Sequence, residues 1–583
     1  MAVKKKGVKL GKLVSLKSKK KATKKKTVKK KVVKKKIVKK KKTVKKKAIK
    51  KKLKLEMPLG FFGKMKKLFS KEKSAKLPDF KITTTPRLII LPEGNEKINV
   101  TYPLIEPFAY ANIKWNPKTK EIIYSIIEPK LTKDEQKMYK DIVNGLLEIL
   151  DIELSAIKVV EDAVDYLEEK IRKVIDEYGM KISKDNYTKI MYHIYRNFVG
   201  LNRIEPFMKD PYVEDVSCNG TDVNLYVVHK KYGSIKTNIV YNSSDELREF
   251  VVKLAERCGR FISYGEPLLD GSLPDGSRVQ SSFASDVTTR GPTFTIRKFV
   301  AEPLTPISLV INNTVSTEML SYLWLAIESG ASTLIAGGAG TGKTTFLNAL
   351  TMFIPPTAKI ISIEDTRELN LPHDNWIPSV ARAGFAKGYG EVTLFDLLKE
   401  SFRQSPDYVI VGEVRGEEAY VMFQGMAAGF PSFGTMHAGK VEDLINRLET
   451  PPINLSASLL ETLDVVVIMI HARHKGESAR RVKEIVEIEA VDSKTGNART
   501  NKVYGWLASH DTFEYRGYSW LMQELSKSRG VEMEKLRQEA VRRRKLLDWM
   551  VKKRITRFDE VANIFSDYSK NPDKVLATAG IKQ

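Results

Sequence analysis

Residues 333–353 read TLIAGGAGTGKTTFLNALTMF, in which a short apolar run, a glycine-rich turn and a second apolar run follow one another directly. The first run, Thr333–Ala336, predicts a strand, and the last, Thr345–Phe353, predicts a helix. Between them, Gly337–Thr344 fits G-x-x-x-x-G-K-[ST], a turn whose backbone N–H groups converge on phosphate oxygens at a helix N-terminus. A chance glycine-rich turn would not place a strand, a helix and Gly-Lys-Thr in register. The stretch therefore predicts an α/β fold that binds a nucleotide phosphate.

The residues of this turn are predicted to bind the nucleotide. The Lys343 ammonium supplies a point charge to the β- and γ-phosphates, and the Thr344 hydroxyl is a ligand for Mg²⁺. The glycines allow the backbone to approach the phosphates closely. The predicted nucleotide-binding residues are Gly337, Gly338, Ala339, Gly340, Thr341, Gly342, Lys343, Thr344 and Thr345.

Beyond Thr317 strand-like and helix-like segments alternate, which predicts a mostly parallel sheet with helices on both faces. Three of the predicted strands deliver polar residues at their ends, namely Glu364, Glu413 and His437. Because ligands bind at the carboxyl edge of such a sheet, we expect these three side chains to face the phosphates.

A nucleoside triphosphatase needs an acid at this edge, either to hold Mg²⁺ through water or to activate the attacking water. Gly412 stands where an aspartate is usual, so the adjacent Glu413 is predicted to do this work alone. Two plainer interpretations stay open. Glu413 could be a surface residue at a strand end, and His437 could be a histidine that only satisfies its hydrogen bonds.

The basic character of the chain is confined to its N-terminal part. The 583 residues carry a net charge of +30, but residues 1–54 contain 29 lysines and no arginine, aspartate or glutamate, which leaves 71 basic against 70 acidic groups. The lysine pentads predict a disordered tail. Two interpretations of this tail stay open: a solvated segment that attracts anions without specificity, and a segment that contacts anionic lipid or nucleic acid.

Cysteine content and hydropathy exclude several classes of protein. Cys218 and Cys258 are the only cysteines, which argues against a disulfide framework and a four-cysteine zinc site and fits a reducing compartment. The longest apolar run, Val465–Ile470, is far too short to span a membrane. The N-terminal lysines are not followed by the apolar core of a signal peptide. We therefore expect a cytoplasmic protein without a membrane span.

Composition and periodicity predict five segments in a chain of this length. They are a Lys-rich tail (1–54), a mixed α/β and helical module (55–205), a smaller α+β domain (206–307), the nucleotide-binding α/β domain (308–524) and a helical C-terminal segment (525–583). In the last segment, the basic stripe Arg542–Lys545 is predicted to be a solvent-exposed helix face.

Four short motifs follow one another between residues 337 and 437. They are the glycine-rich loop, an acidic box IEDTREL at 363–369, GEVR at 412–415 and GTMH at 434–437. In this order they resemble the secretion ATPase superfamily that drives type II secretion, type IV pili and the archaellum. The segments DPYVEDVSCNG and YGEPLLDGSLPDGSRVQ resemble its N-terminal domain. The resemblance implies a RecA-like P-loop ATPase domain with a mostly parallel sheet, preceded by a smaller α+β (PAS-like) domain.

The resemblance also implies roles for particular residues. Lys343 and Thr344 would bind phosphate and Mg²⁺, Glu413 would be the catalytic glutamate and reach the metal through water, and Glu364 and His437 would complete the site. In this family a homohexameric ring is expected, with arginines of one N-terminal domain reaching the γ-phosphate of a neighbour. The candidates here are Arg278, Arg290 and Arg297, each of which could instead be a surface or salt-bridge arginine.

The function implied by the resemblance is ATP hydrolysis, with Mg²⁺, that powers assembly or movement of a type IV pilin-like filament. The protein would dock on a polytopic platform protein at the inner face of the cell membrane. The lack of the four-cysteine zinc module of many bacterial members favours an archaeal or tight-adherence-type relative. The alternative is a DNA-translocating or conjugation-type ATPase whose lysine tail binds nucleic acid.

Overall fold

The computed structural model describes residues 77–84, 89, 91–92, 94, 97–150, 160–300, 302–382, 390–474, 477–492 and 498–581. The predicted Lys-rich tail therefore lies outside the described residues. Every element below lies within one compact unit, Asp79–Gln583. No helix in the described part of the chain combines the length and apolar character needed to cross a membrane.

The first half of this unit is built on a nine-stranded sheet. The strands are β1 Asn99–Ile105, β2 Ala109–Asn116, β3 Glu121–Ile127, β4 Val213–Cys218, β5 Asn224–His229, β6 Gly233–Val240, β7 Leu268–Ser272, β8 Arg278–Ser282 and β9 Thr293–Arg297. Their order in the sheet is β1-β2-β3-β6-β5-β4-β9-β8-β7, with antiparallel neighbours except for the parallel pair β3 and β6.

The helices of this half lie in two places along the chain, between β3 and β4 and between β6 and β7. They are α1 Lys133–Ile149, α2 Val160–Glu177, α3 Lys184–Ile194, α4 Glu205–Lys209 and α5 Ser244–Arg257, with a π-helical turn at Tyr195–Val199 and a 3₁₀ turn at Asn202–Ile204. Ser243 caps α5, because its hydroxyl accepts from the Glu246 N–H at 3.3 Å.

The sheet crosses the boundary predicted between residues 205 and 206, since β1–β3 precede it and β4–β9 follow it. A buried polar contact also spans this point. The Tyr102 and Tyr124 hydroxyls donate to Oδ2 of the fully buried Asp210 at 2.7 and 2.5 Å, which ties β1 and β3 to the chain that leads into β4. The five-segment division and the PAS-like character of residues 206–307 stay predictions.

The second half contains another nine-stranded sheet, of order β12-β11-β13-β14-β10-β15-β16-β17-β18. The first six strands in this order, from β12 through β10 to β15, are mutually parallel, and the last three, β16, β17 and β18, are added antiparallel. This arrangement confirms the predicted mostly parallel α/β fold. The strands are β10 Thr333–Gly337, β11 Ile360–Glu364, β12 Trp376–Val380, β13 Tyr408–Val411, β14 Ser432–Met436, β15 Val465–His474, β16 Glu477–Val491, β17 Ala498–Leu507 and β18 Thr512–Tyr515.

Helices cover both faces of this sheet, so the central strands are buried on both sides. On β10, Ile335 belongs to the apolar cluster of one face, and Leu334 and Ala336 belong to that of the other. The helices are α6 Pro306–Ile311, α7 Thr317–Glu328, α8 Lys343–Leu350, α9 Leu394–Ser401, α10 Glu418–Ala427, α11 Val441–Glu449, α12 Ala457–Leu460, α13 Trp520–Arg529, α14 Met533–Lys553, α15 Phe558–Lys570 and α16 Pro572–Thr578, with 3₁₀ turns at Thr351–Phe353 and Phe402–Gln404.

The C-terminal helices share the apolar core on one face of the second sheet. Leu546 and Met550 of α14 and Phe565 of α15 belong to the apolar cluster that contains α7 and α8. The prediction that the stripe Arg542–Lys545 is a solvent-exposed face is wrong for Arg543, which is only 6% exposed. The reason is that this position of α14 faces α7 rather than water.

Arg543 is held by both charge and aromatic contact. Its guanidinium lies 4.8 Å from the centroid of the Trp324 ring and forms ion pairs with Glu328 at 2.5 Å and Glu539 at 2.9 Å. Because removing one partner of a buried pair leaves its counter-charge unbalanced, Arg543→Ala is expected to destabilise the fold by about 3 kcal/mol. Thermal denaturation followed by circular dichroism measures this loss. Lys552→Ala, an exposed change on the same helix, is the control and should leave the melting temperature unchanged.

Candidate nucleotide-binding site

The glycine-rich turn joins β10 to α8 as the sequence predicts, although the strand extends to Gly337 and the helix begins earlier, at Lys343. Gly340 and Gly342 adopt φ values of +72° and +89°, a region in which a side chain is strained. A Cβ at Gly337 would lie 2.5 Å from the Met469 carbonyl oxygen on β15. Glycine is therefore required both by the backbone conformation of the turn and by the neighbouring strand.

Lys343 lies within this turn and is 8% exposed. Its Nζ donates to the Gly338 carbonyl oxygen at 3.0 Å and lies 3.5 Å from His437 Nδ1. Burial lowers the pKa of Lys343, and the nearby Glu413 carboxylate opposes that effect. The ammonium is thus directed to the inner side of the glycine-rich turn, where phosphate oxygens would bind.

His437 connects Lys343 to Glu413. His437 Nε2 lies 3.4 Å from Glu413 Oε1, and its other ring nitrogen faces Lys343. Burial and the Lys343 charge lower the pKa of His437, which favours a neutral ring. Because an ammonium only donates, Nδ1 is the acceptor toward Lys343, and this leaves the proton of a neutral ring on Nε2, the nitrogen that faces the carboxylate. The strand ends of β13 and β14 therefore bring together three of the predicted site residues.

Glu364 ends β11 and is 2% exposed. Its Oε1 accepts from the Glu368 and Leu369 N–H groups at 2.8 and 3.0 Å, whereas its Oε2 has no hydrogen-bond partner among the described residues. Burial raises the pKa of Glu364 to about 7. A Cβ at Gly412 would lie 3.1 Å from Glu364 Cγ, so glycine at 412 makes room for this carboxyl group. Sequence reasoning noticed the missing aspartate at 412 but not that Glu364 lies against it.

Two further residues that sequence reasoning missed hold the loop that carries Glu413. The buried Glu418 accepts from the Arg415 and Gly416 N–H groups, both at 2.7 Å. The Thr435 hydroxyl donates to the Gly412 carbonyl oxygen at 2.7 Å. The sequence offered two signals for these contacts: Glu418 is an acid shortly after the GEVR motif, and Thr435 is the threonine of the GTMH motif.

The three candidate arginines lie in the part of the unit that is built on the first nine-stranded sheet. Arg278 on β8 and Arg297 on β9 are register partners, and they form ion pairs with Asp270 at 2.9 Å and with Asp215 at 3.3 Å. The hydrogen bond to Asp270 raises the pKa of Arg278, and the acidic-box residues Asp365 and Glu368 contribute to that rise. Arg290 lies in the turn before β9, where its carbonyl oxygen accepts from the Thr221 N–H.

The residues around the turn suit Mg²⁺, which prefers oxygen ligands. The Thr344 hydroxyl at the start of α8 and the carboxylates of Glu413 and Glu364 provide such oxygens. The unpartnered Oε2 of Glu364 is the structural observation that favours a cation in their neighbourhood, because a buried carboxyl oxygen without a partner is costly and a nearby cation would favour its ionised form.

Comparisons with known proteins identify the family of this chain. Residues 199–562 match the family described as type II/IV secretion system protein. The chain belongs to the type II/IV secretion system protein family, which confirms the resemblance inferred from the four motifs.

Among the relatives is a protein of Methanocaldococcus jannaschii described as uncharacterized, 36% identical over 84% of this chain and 91% of its own length. The type IV secretion system protein PtlH of Bordetella pertussis is 30% identical over 41% of this chain and 79% of its own length. The crystal structure of the VirB11 ATPase from the type IV secretion system of Brucella suis covers 50% of this chain and 93% of its own, with 24% identity and a TM-score of 0.25.

Proposed function

We propose that this protein hydrolyses ATP to ADP and phosphate and uses the energy to drive a secretion or pilus system at the inner face of the cell membrane. The observation that carries this proposal is the convergence of Lys343, His437 and Glu413 beside a glycine-rich turn at the carboxyl edge of the sheet. Membership of the secretion family supports the same function. Within it, we propose assembly or movement of a pilin-like filament as the particular work.

Each of these side chains has a distinct task in the proposed reaction. Lys343 exchanges its bond to the Gly338 carbonyl for phosphate oxygens and offsets their charge. Glu413 orients the attacking water and accepts its proton, and His437 keeps the carboxylate in place through Nε2. Mg²⁺, when bound near Thr344, Glu413 and Glu364, supplies additional charge neutralisation for the β- and γ-phosphates.

The neighbouring arginines Arg278, which is half-buried, and Arg297, which is exposed, support a second part of the proposal, a homohexameric ring. The two guanidiniums stand on adjacent strands, and their ion pairs with Asp270 and Asp215 offset the repulsion between them. Two neighbouring arginines suit an anion such as a γ-phosphate held by another copy of the chain. We therefore place Arg278 and Arg297 ahead of Arg290 as residues that act between subunits.

ATP turnover measured against protein concentration tests the proposal. The full chain and a variant lacking residues 1–54 are compared, with anionic lipid vesicles in one series and duplex DNA in the other. A ring motor that works at a membrane predicts turnover that rises cooperatively with concentration and increases with lipid. A platform protein of the membrane is the further partner that this result would imply.

Stimulation by DNA that survives removal of the lysine tail would contradict the filament proposal and favour a DNA translocase. DNA binding through the tail alone is distinguished by salt. The DNA-binding constant should fall with salt concentration, with a log–log slope of about −0.9 for each phosphate neutralised, and DNA binding should disappear in the shortened variant.

A further inference from the structure

The antiparallel hairpin β15–β16 extends past the end of β10 and runs beside the phosphate-binding turn. Gly337, the last residue of β10, pairs with Met469, and β15 continues from there to His474. On the returning strand β16, Arg480 lies opposite His471. This extension brings an arginine, far away in sequence, to the outer side of the turn.

Arg480 contacts the turn directly. Its Nε donates to the Gly340 carbonyl oxygen at 3.0 Å, and its Cδ would lie 3.2 Å from a Cβ at Gly342. The next residue, Arg481, faces the opposite side of β16, where its guanidinium forms two hydrogen bonds with Asp511 at 2.7 and 2.8 Å. Because side chains alternate between the two sides of a strand, Arg481 forms a structural ion pair on one side of β16, whereas Arg480 contacts the backbone of the turn on the other.

The contact fixes the direction of one peptide group. In a planar trans peptide the C=O and the following N–H point in opposite directions. When Arg480 holds the Gly340 carbonyl toward the hairpin, the Thr341 N–H points to the other side, into the turn. A cation on the carbonyl also polarises the peptide and makes its N–H a stronger donor.

Without such a contact this peptide would be easy to rotate. Gly340 is a glycine at φ +72°, and a Cβ there would have no atom within 4 Å, so packing does not restrain it. The Thr341 hydroxyl donates to the Gly338 carbonyl oxygen at 2.9 Å and restrains the residue after the peptide. Arg480 supplies the restraint on the carbonyl side.

We infer that Arg480 is a positioning residue of the phosphate-binding turn, which holds the Gly340–Thr341 peptide with its N–H directed at a nucleoside polyphosphate. The inference rests on the proposed function, because it names a residue that prepares the same nucleotide site. Arg480 acts through the backbone and needs no contact with the phosphates.

Nucleotide affinity of the full-length protein tests this role. Arg480→Ala is expected to weaken the binding of both ADP and ATP about tenfold, the effect of losing one charge-assisted contact. Arg480→Lys retains a cationic donor and should stay within about threefold of the wild type. Fluorescence titration with labelled ADP and ATP measures both. Arg499→Ala, which removes an exposed arginine of β17 paired with Glu489 on β16, is the matched control and should bind normally.

Kinetics separate positioning from a catalytic or purely structural role. Arg480→Ala should raise KM for ATP while kcat stays within about twofold, since Glu413 and its water are unaffected. Equal affinity of Arg480→Ala and the wild type would overturn the inference. A loss that lysine fails to rescue and that parallels a fall in melting temperature would also overturn it. Wild-type protein that binds neither nucleotide would overturn the proposed function as well.

Discussion

Replacement of Glu413 by glutamine is expected to lower ATP turnover by about 10²–10⁴-fold, the usual contribution of a general base. The amide cannot accept the proton of the attacking water. Nucleotide affinity should change little, because glutamine has nearly the same shape and the proposed phosphate-binding residue Lys343 is unchanged. Steady-state phosphate release and nucleotide titration on the same preparation measure the two quantities.

Glu417→Gln is the matched control for this substitution. Glu417 is an exposed carboxylate in the same loop, and its side chain makes no capping hydrogen bond to α10. This variant should turn over ATP at the wild-type rate. Normal turnover in Glu413→Gln would contradict the assignment of the base and would direct attention to Glu364, the carboxyl group that lies against Gly412.

Lys343→Ala is expected to weaken ATP binding by about 10²-fold, the loss of two charge-assisted phosphate contacts. Turnover should fall with it. The loss should be larger for ATP than for ADP, because the ammonium serves both the β- and γ-phosphates. Isothermal titration with each nucleotide measures the difference.

Lys399→Ala on the exposed face of α9 controls for the general loss of a positive charge and should leave both affinities unchanged. A Lys343→Ala protein that binds ATP as tightly as the wild type would show that the glycine-rich turn is not the phosphate site. A normal melting temperature is required of the variant, since Lys343 is largely buried.

Local sequence was sufficient for several features of the site. The spacing of Gly337–Thr344 between two apolar runs predicted the turn between β10 and α8, because strand, glycine conformations and helix start are all set within that stretch. The polar residues that follow apolar strands predicted that Glu413 and His437 would meet, since parallel strands end at one edge.

Contacts between residues distant in the chain could not be predicted in this way. The residues around Gly412 in the sequence do not predict that Glu364 occupies the space beside it. The residues around Arg480 do not predict its hydrogen bond to Gly340. The charge pattern of α14 likewise suggested solvent exposure for Arg543, whereas Trp324 and Glu328 cover it. In each case the partner is brought in by another element.

The sequence by itself determined the class of fold, the glycine-rich turn and the family, because these depend on short motifs whose backbone conformation is set locally. The tertiary structure alone decided which carboxyl group lies against Gly412, which arginine holds the turn and which basic residue is buried. Those outcomes depend on the order of strands in the sheet and on the helices packed against it, and strand order is a property of the whole chain.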